Sequence, residues 1–166
     1  MNLISINPTN SKILKSYKEI SNDSINQIID SSYNTYLEWQ NKSISYRSEK
    51  MKNLADLLRL RKEELGSLMT REMGKPISQS IAEAEKCAWV CDYYADNAEQ
   101  FLSNKEISTD STKSFISFQP IGLVLAIMPW NFPFWQVFRF ASPTLMAGNV
   151  GILKHASNVQ GCAKEI

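Results

Sequence analysis

The spacing of apolar residues divides the chain into a helical half and a half that is rich in strands. Apolar residues recur every three or four positions over residues 25–37, 45–65, 67–73 and 78–102, which predicts four helices with Gly66 as a break. Two shorter stretches, residues 4–8 and 13–20, precede them and predict a pair of strands. Ser21 to Ser24 is a run of residues that favour a helix N-cap, and Gly74-Lys75-Pro76 is typical of a helix end. Small residues recur on one face of the helix predicted over residues 78–102 and suit close packing. We therefore assign residues 1–104 to a mainly helical part.

A different pattern follows Asn104. Residues 105–119 alternate loosely between polar and apolar positions, are rich in Ser and Thr, and predict two strands joined by a turn at Asp110 and Ser111. Exposed strand edges attract other strands. We therefore expect residues 105–120 to form an arm of the kind used in oligomerisation.

The last part of the chain contains a strand, a helix and a second strand. Gly122 to Met128 is an unbroken apolar run, which is typical of a parallel strand buried on both faces. Residues 134–146 have helical content, and residues 150–153 form a second apolar run. Such a unit has parallel strands and a right-handed crossover. The predicted fold class is therefore α/β, with helices followed by a βαβ unit over residues 121–166.

Length and charge narrow the classes of function. The 166 residues suit one ordinary domain, and 18 Lys and Arg against 17 Asp and Glu give a net charge of +1, which does not favour a nucleic-acid partner. Pro129 and Pro133 interrupt the apolar run over residues 121–140, so a membrane span is the least favoured interpretation. Because no basic region precedes a long apolar run at the N-terminus, we expect a cytoplasmic protein.

The three cysteines do not form the pattern of a disulfide framework. Cys87 and Cys91, four residues apart, could be half of a metal site or two small core residues. The only histidine, His155, is distant in the sequence. We therefore expect core residues and no metal.

Polar residues follow both strands of the predicted βαβ unit. Because parallel strands end at the same edge of a sheet, the loop at Trp130 and Asn131 and the loop over residues 154–157 should lie side by side, where α/β proteins bind ligands. Asn131, expected at a helix N-terminus, offers a neutral donor to an oxygen that becomes negative in a transition state. Lys154 could bind a ribose hydroxyl or a phosphate. The alternatives are a loop or cap residue for Asn131 and a solvent-exposed strand end for Lys154.

Arg139 stands among aromatic residues. A charge there is costly unless it is exposed or paired. Trp135 shares its helix face, and Phe132 and Gln136 lie near that face. The pattern indicates an aromatic pocket with one cation, suited to a small organic anion; the alternative is an Arg paired with a structural carboxylate.

These residues resemble the aldehyde dehydrogenase superfamily. The resemblance covers essentially the whole chain. Residues 134–140 and 154–157 look most like the bacterial succinate-semialdehyde dehydrogenase branch. It rests on the Trp-Asn-Phe motif between Pro129 and Pro133, the Ala147-Gly148-Asn149 turn, the strand end at Lys154, and segments 72–76 and 85–94.

The resemblance implies oxidation of an aldehyde by a nicotinamide cofactor, with a cysteine nucleophile and a glutamate general base. It implies that Asn131 donates to the oxyanion and that Arg139 binds the distal carboxylate of the substrate. The pattern of the aromatic pocket adds Phe132, Trp135 and Gln136 as substrate contacts. The implied cofactor contacts are Trp130, Asn131, Lys154, His155, Ala156 and Ser157. Because many NAD-preferring relatives have Glu where this chain has Ser157, the cofactor is expected to be NAD or NADP.

Family members are much longer than this chain, and their catalytic Cys and Glu lie in later segments. We therefore expect an inactive N-terminal fragment, ending in the first βαβ of a Rossmann-like domain, of an enzyme that oxidises succinate semialdehyde to succinate. The full-length form is expected to be a homo-oligomer. The alternatives are an enzyme for another carboxylated aldehyde, such as glutarate semialdehyde, and a non-catalytic remnant that binds partner chains.

Overall fold

A computed structural model describes residues 2–166. Residues 2–166 form six helices and six short strands. In chain order the elements are β1 (Asn2–Ile6), β2 (Ile13–Lys18), α1 (Asn22–Trp39), α2 (Ile44–Leu60), α3 (Lys62–Met73), α4 (Ile77–Leu102), β3 (Lys105–Glu106), β4 (Phe115–Ile116), β5 (Leu123–Met128), α5 (Trp135–Met146), β6 (Val150–His155) and α6 (Gln160–Glu165).

The core lies where α2 and α3 pack on α4 and where α4 packs on α5. Helix α4 contributes small residues to this contact, and Ala84, Ala88 and Cys91 are completely buried. Small side chains allow helix axes to approach closely, so the predicted small-residue face of α4 is the centre of the core.

The predicted break at Gly66 is wrong. The chain leaves helical geometry at Arg61, and Gly66 is a buried residue inside α3. A Cβ atom on Gly66 would lie 2.7 Å from Cγ1 of Ile81. The glycine is therefore explained by the close contact of α3 with α4 rather than by a helix end. The predicted stop at Gly74 is confirmed, since Gly74 ends α3 with a left-handed backbone (φ 76°).

Helix α1 begins where the sequence predicts, because the Ser21 hydroxyl accepts a hydrogen bond from the Ser24 amide at 3.2 Å. No residue of α1 is buried, so its apolar stripe is largely exposed. The Trp39 indole donates to the Leu145 carbonyl at 2.9 Å and anchors the end of α1 to α5. None of the helices in residues 2–166 is long and apolar enough to cross a membrane.

Strands β5 and β6 are parallel, as predicted, with Leu123 opposite Val150 and Met128 opposite His155. Strand β6 is longer than predicted because Lys154 and His155 still pair with β5. The prediction that β5 is buried on both faces is wrong, because the side chains of Leu125 and Ile127 are 62% and 67% exposed. Within residues 2–166, the sheet has only these two strands and one face of β5 is uncovered.

The other strand pairs are antiparallel. Strands β1 and β2 pair as predicted, with an irregularity at Ser5 and Ile6. The predicted strands over residues 105–119 form a shorter ladder, β3 with β4, whose four residues are all exposed. The division into parts 1–104, 105–120 and 121–166 stays a prediction.

Candidate functional site

The loops that follow β5 and β6 start side by side and are joined by His155. The buried imidazole accepts a hydrogen bond from the Ala156 amide at Nδ1 (2.8 Å), so Nε2 carries the proton and donates to the Pro133 carbonyl (2.8 Å). Trp130, from the first loop, and Asn158, from the second, line one cavity of about 390 Å³. The predicted adjacency of the two loops is therefore confirmed. Both ring nitrogens of His155 are occupied, which leaves only its backbone for a cofactor contact.

The Trp130-Asn131-Phe132 motif is exposed on this rim. Helix α5 begins at Trp135, four residues after Asn131, so the expectation that Asn131 lies at the helix N-terminus is wrong. The Asn131 side chain projects from a loop, where its amide group is accessible to a ligand.

The N-terminus of α5 is capped from within the chain by Glu83 of α4. Glu83 Oε1 accepts hydrogen bonds from the amides of Phe134 and Trp135, each at 3.0 Å. The other oxygen, Oε2, is paired with the ammonium group of Lys75, and both side chains are buried. An anion at this place satisfies free helix amides and the helix dipole.

Lys75 also contacts the motif loop directly. Its Nζ atom lies 3.7 Å from the centre of the Phe132 ring, within the range of a cation–π interaction. Lys75 and Glu83 were not among the site residues predicted from the sequence. The available signal was Glu83 itself, four and eight residues before the buried Cys87 and Cys91 and hence on the same face of α4.

Arg139 is exposed and makes no ion pair within residues 2–166. The aromatic residues expected around it contact lysines instead, because Lys86 Nζ lies 4.0 Å from the centre of the half-buried Trp135 ring. Arg139 is therefore not the cation beside Phe132 and Trp135 in this structure, and its role in binding a carboxylate stays a prediction. A groove of about 280 Å³ contains two cations and does not include Arg139 or Gln136; its lining residues are Lys75, Gln79, Ala82, Glu83, Lys86, Phe132 and Trp135.

On the β6 side, Lys154 and Ser157 are exposed and Ala156 is half-buried. Lys154 is the penultimate residue of β6, and Ser157 lies in the turn before α6. The Ala156 carbonyl accepts from Gln160 Nε2 at 2.9 Å, which ties this turn to the helix. The two polar side chains predicted here are therefore free to meet a ligand at the carboxyl end of the strand.

A second buried glutamate, Glu72 of α3, caps α6. Its Oε1 accepts from the Gly161 amide (2.8 Å) and the Ser5 hydroxyl (2.6 Å), and its Oε2 accepts from the Cys162 amide (2.8 Å). A Cβ atom on Gly161 would lie 2.6 Å from Glu72 Oε1, so only glycine fits there without a shift.

The three cysteines are core residues, as predicted. All are completely buried, and burial raises the pKa of Cys91 to about 11 and raises the pKa of Cys87 and Cys162 further. All three are therefore neutral thiols near pH 7, which excludes them as activated nucleophiles in this structure. Residues 2–166 contain no group of three His, Cys, Asp or Glu side chains arranged to hold a metal ion.

The chain belongs to the aldehyde dehydrogenase family, whose sequence profile matches residues 2–166. The predicted superfamily and α/β fold class are thereby confirmed.

Succinate-semialdehyde dehydrogenases are among its most similar relatives. The chain is 48% identical over 166 residues to a probable succinate-semialdehyde dehydrogenase (NADP+) of Synechocystis, covering 100% of this chain and 37% of that protein. It is 42% identical over 163 residues to succinate semialdehyde dehydrogenase (NAD(P)+) of Escherichia coli K12, covering 98% and 35%. The crystal structure of succinic semialdehyde dehydrogenase from Streptococcus pyogenes with NADP+ matches with a TM-score of 0.95 and 29% identity, covering 98% and 36%. The chain thus spans little more than a third of each.

Proposed function

We propose that the protein containing these residues oxidises succinate semialdehyde to succinate with NADP+ or NAD+. The observation that carries the proposal is the hydrogen bond between His155 and the Pro133 carbonyl, which holds the Asn131 loop against the end of β6. The similarity to succinate-semialdehyde dehydrogenases of Synechocystis and Escherichia coli supports the substrate and the cofactor.

The exposed donors at the end of β6 fit a nicotinamide dinucleotide. Lys154 and Ser157 are both accessible, and an ammonium and a hydroxyl group suit ribose hydroxyls or a phosphate. Trp130 would form a wall of the same cleft. When bound, the cofactor accepts hydride from the substrate.

Asn131 acts on the aldehyde. As a nucleophile adds to the aldehyde carbon, the carbonyl oxygen gains negative charge, and the Asn131 amide donates a hydrogen bond to it. One such donor is worth about 10²–10³ in kcat in other enzymes. We place the nucleophile and the general base outside residues 1–166, since the three cysteines here are buried thiols.

Arg139 binds the distal carboxylate, and it lies on the exposed side of α5 with no competing carboxylate in residues 2–166. Glutarate semialdehyde has the same carboxylate and one more methylene. Both aldehydes satisfy the charge of Arg139, so only the length of the carbon chain separates them. One methylene typically changes the transition-state binding energy by about 1–3 kcal/mol, which a comparison of kcat/KM measures.

The test is an aldehyde assay on the complete reading frame that contains these residues, with residues 1–166 alone as the comparison. We expect the complete protein to reduce NADP+ or NAD+ with a higher kcat/KM for succinate semialdehyde than for glutarate semialdehyde or butanal. Residues 1–166 alone should reduce neither cofactor. Equal kcat/KM for succinate semialdehyde and butanal would refute the substrate, and absence of cofactor reduction would refute the reaction.

The alternative of a non-catalytic chain that binds partner chains is favoured by the exposed apolar side chains of Leu125 and Ile127 on β5. The same assay separates the two proposals. For the complete enzyme we propose a homo-oligomer, with residues 105–120 as the arm between subunits, and a cytoplasmic location.

A further inference from the structure

We propose that Lys75 and Glu83 are positioning residues for Asn131. The inference rests on the proposed function, because it assigns the two buried charges a role in placing the oxyanion donor. Lys75 acts through the ring of Phe132 and Glu83 acts through the amides of Phe134 and Trp135, so their effect reaches Asn131 through the residues that follow it in the motif loop.

Each residue from 132 to 135 is held by at least one contact with another part of the chain. Lys75 lies on the ring of Phe132, His155 donates to the Pro133 carbonyl, and Glu83 accepts from the amides of the next two residues. Asn131 is the residue immediately before this anchored stretch. Its backbone therefore leaves a fixed point, although its own side chain is exposed.

Charge explains why the anchor is an ion pair. A carboxylate buried as deeply as Glu83, at 4% exposure, needs partners for both oxygens. Two amides satisfy Oε1, and the Lys75 ammonium satisfies Oε2 and neutralises the charge. Lys75 thereby connects the carboxylate to the aromatic ring next to Asn131, so loop and helix are fixed by the same pair.

The capping also accounts for the first amides of α5, which have no partner within the helix. The amides of Phe134 and Trp135 are already used by Glu83, so they are not donors to a substrate oxyanion in this structure. The Asn131 side chain is then the accessible donor at this end of the loop, and its placement matters more.

Hydrogen exchange measured on the complete protein tests the anchor without any assay of activity. In Glu83→Ala, the amides of Phe134 and Trp135 should exchange roughly tenfold faster or more, as expected for loss of bonds to a charged acceptor. Glu72→Ala is the matched control: it should accelerate Gly161 and Cys162 and leave residues 134 and 135 unchanged. Glu83→Gln, which keeps an acceptor oxygen and the side-chain volume, should give a smaller acceleration at the same two amides.

Kinetics on the complete protein test the consequence for Asn131. Glu83→Ala should lower kcat by about 10- to 100-fold, in the range expected for a misplaced group, with little change in KM for the cofactor. In an Asn131→Ala background, Glu83→Ala should lower kcat by less than about threefold, because the donor that it positions is already missing. Lys75→Arg, which retains the charge, should recover part of the kcat lost in Lys75→Met.

The outcomes separate this inference from the proposed function. Unchanged exchange at residues 134 and 135 in Glu83→Ala, or kcat losses that multiply fully in the double variant, would overturn the positioning role. If the wild-type protein oxidises no aldehyde, the proposed function fails, while the exchange experiment still decides whether Glu83 holds the loop.

Discussion

The two helices beside the rim are each capped at the N-terminus by a buried glutamate from another helix, but the two carboxylates have different partners. At α5, Glu83 accepts from two amides and is paired with the Lys75 ammonium. At α6, Glu72 accepts from two amides and the Ser5 hydroxyl, and no salt bridge reaches it within residues 2–166. The carboxylate at α5 thus has a cation as one of its partners, whereas the carboxylate at α6 has only neutral donors among the partners in residues 2–166.

The two capped helix ends also differ in the space around the carboxylate. Helix α5 is capped beside the bulky Phe134, whereas at α6 the carboxylate lies so close to the backbone that Gly161 has no room for a Cβ. We infer that the α5 end is sensitive to charge and the α6 end to volume. In the proposed enzyme the first end faces the aldehyde and the second faces the cofactor, so the comparison also predicts which kinetic constant each end controls.

The largest effect is expected from Lys75→Met. Removing the cation leaves the Glu83 charge buried and unneutralised, which typically costs about 3–5 kcal/mol. The measurement is the free energy of unfolding from urea denaturation of the chain. Lys62→Met, which breaks the exposed pair of Lys62 with Glu85, is the control and should give no measurable change. Similar losses for the two variants would mean that the α5 end is not held by charge.

The second prediction concerns substrate choice at the α5 end. In the complete protein, Arg139→Ala should lower kcat/KM for succinate semialdehyde and leave kcat/KM for butanal almost unchanged. The expected loss corresponds to about 1.5–3 kcal/mol of transition-state stabilisation, the contribution of a hydrogen bond to a charged group. Lys86→Ala, which removes the cation over Trp135, is the matched control and should not discriminate between the two aldehydes. An equal loss with both aldehydes in Arg139→Ala would assign the arginine to structure.

The third prediction tests volume at the α6 end. Gly161→Ala places a methyl group 2.6 Å from Glu72 Oε1 and should destabilise the chain by about 1–3 kcal/mol, as overpacking does. Glu72→Asp, with a shorter side chain, should relieve part of the clash, so the double variant should lose less stability than the sum of the single ones. Urea denaturation of the four proteins measures this coupling. Strict additivity would contradict the steric interpretation.

The adjacency of the two loops was predictable from sequence because it follows from the order of the strands and from local residue preferences. Parallel strands end at one edge, so the loop that contains Asn131 and the loop that contains Ser157 had to start side by side once the βαβ unit was recognised. The Ser21 cap and the Gly74 stop follow from the preferences of one or two residues.

The buried anchors were not predictable in this way. Glu83 bonds to amides 51 and 52 residues later, and Glu72 to amides 89 and 90 residues later, and no local spacing encodes such contacts. Gly66 resembles a helix break in sequence, but it is a contact point between two helices in the structure. The exposure of Leu125 and Ile127 depends on which elements cover the sheet, which an apolar run does not specify.

The smallest effect, on the choice of cofactor, tests the α6 side of the comparison. Ser157 is exposed in the turn between β6 and α6, close in sequence to the exposed Lys154, so a dinucleotide bound at this edge would meet a neutral hydroxyl and a cation. A carboxylate introduced here would repel the 2′-phosphate of NADP+ and accept hydrogen bonds from the ribose hydroxyls of NAD+. Two charges about 4 Å apart in water interact by about 1 kcal/mol, which corresponds to a change of roughly fivefold.

Ser157→Glu should therefore lower the ratio of kcat/KM for NADP+ to that for NAD+ by at least about fivefold in the complete protein, and leave KM for succinate semialdehyde unchanged. Ser157→Gln has the same size without the charge, and its ratio should stay near that of the wild type. Because the two variants differ only in charge, a ratio that changes equally in both would mean that bulk rather than repulsion acts at this position. A ratio that changes in neither would place the 2′-phosphate away from Ser157 and remove the cofactor role from the α6 side of the rim.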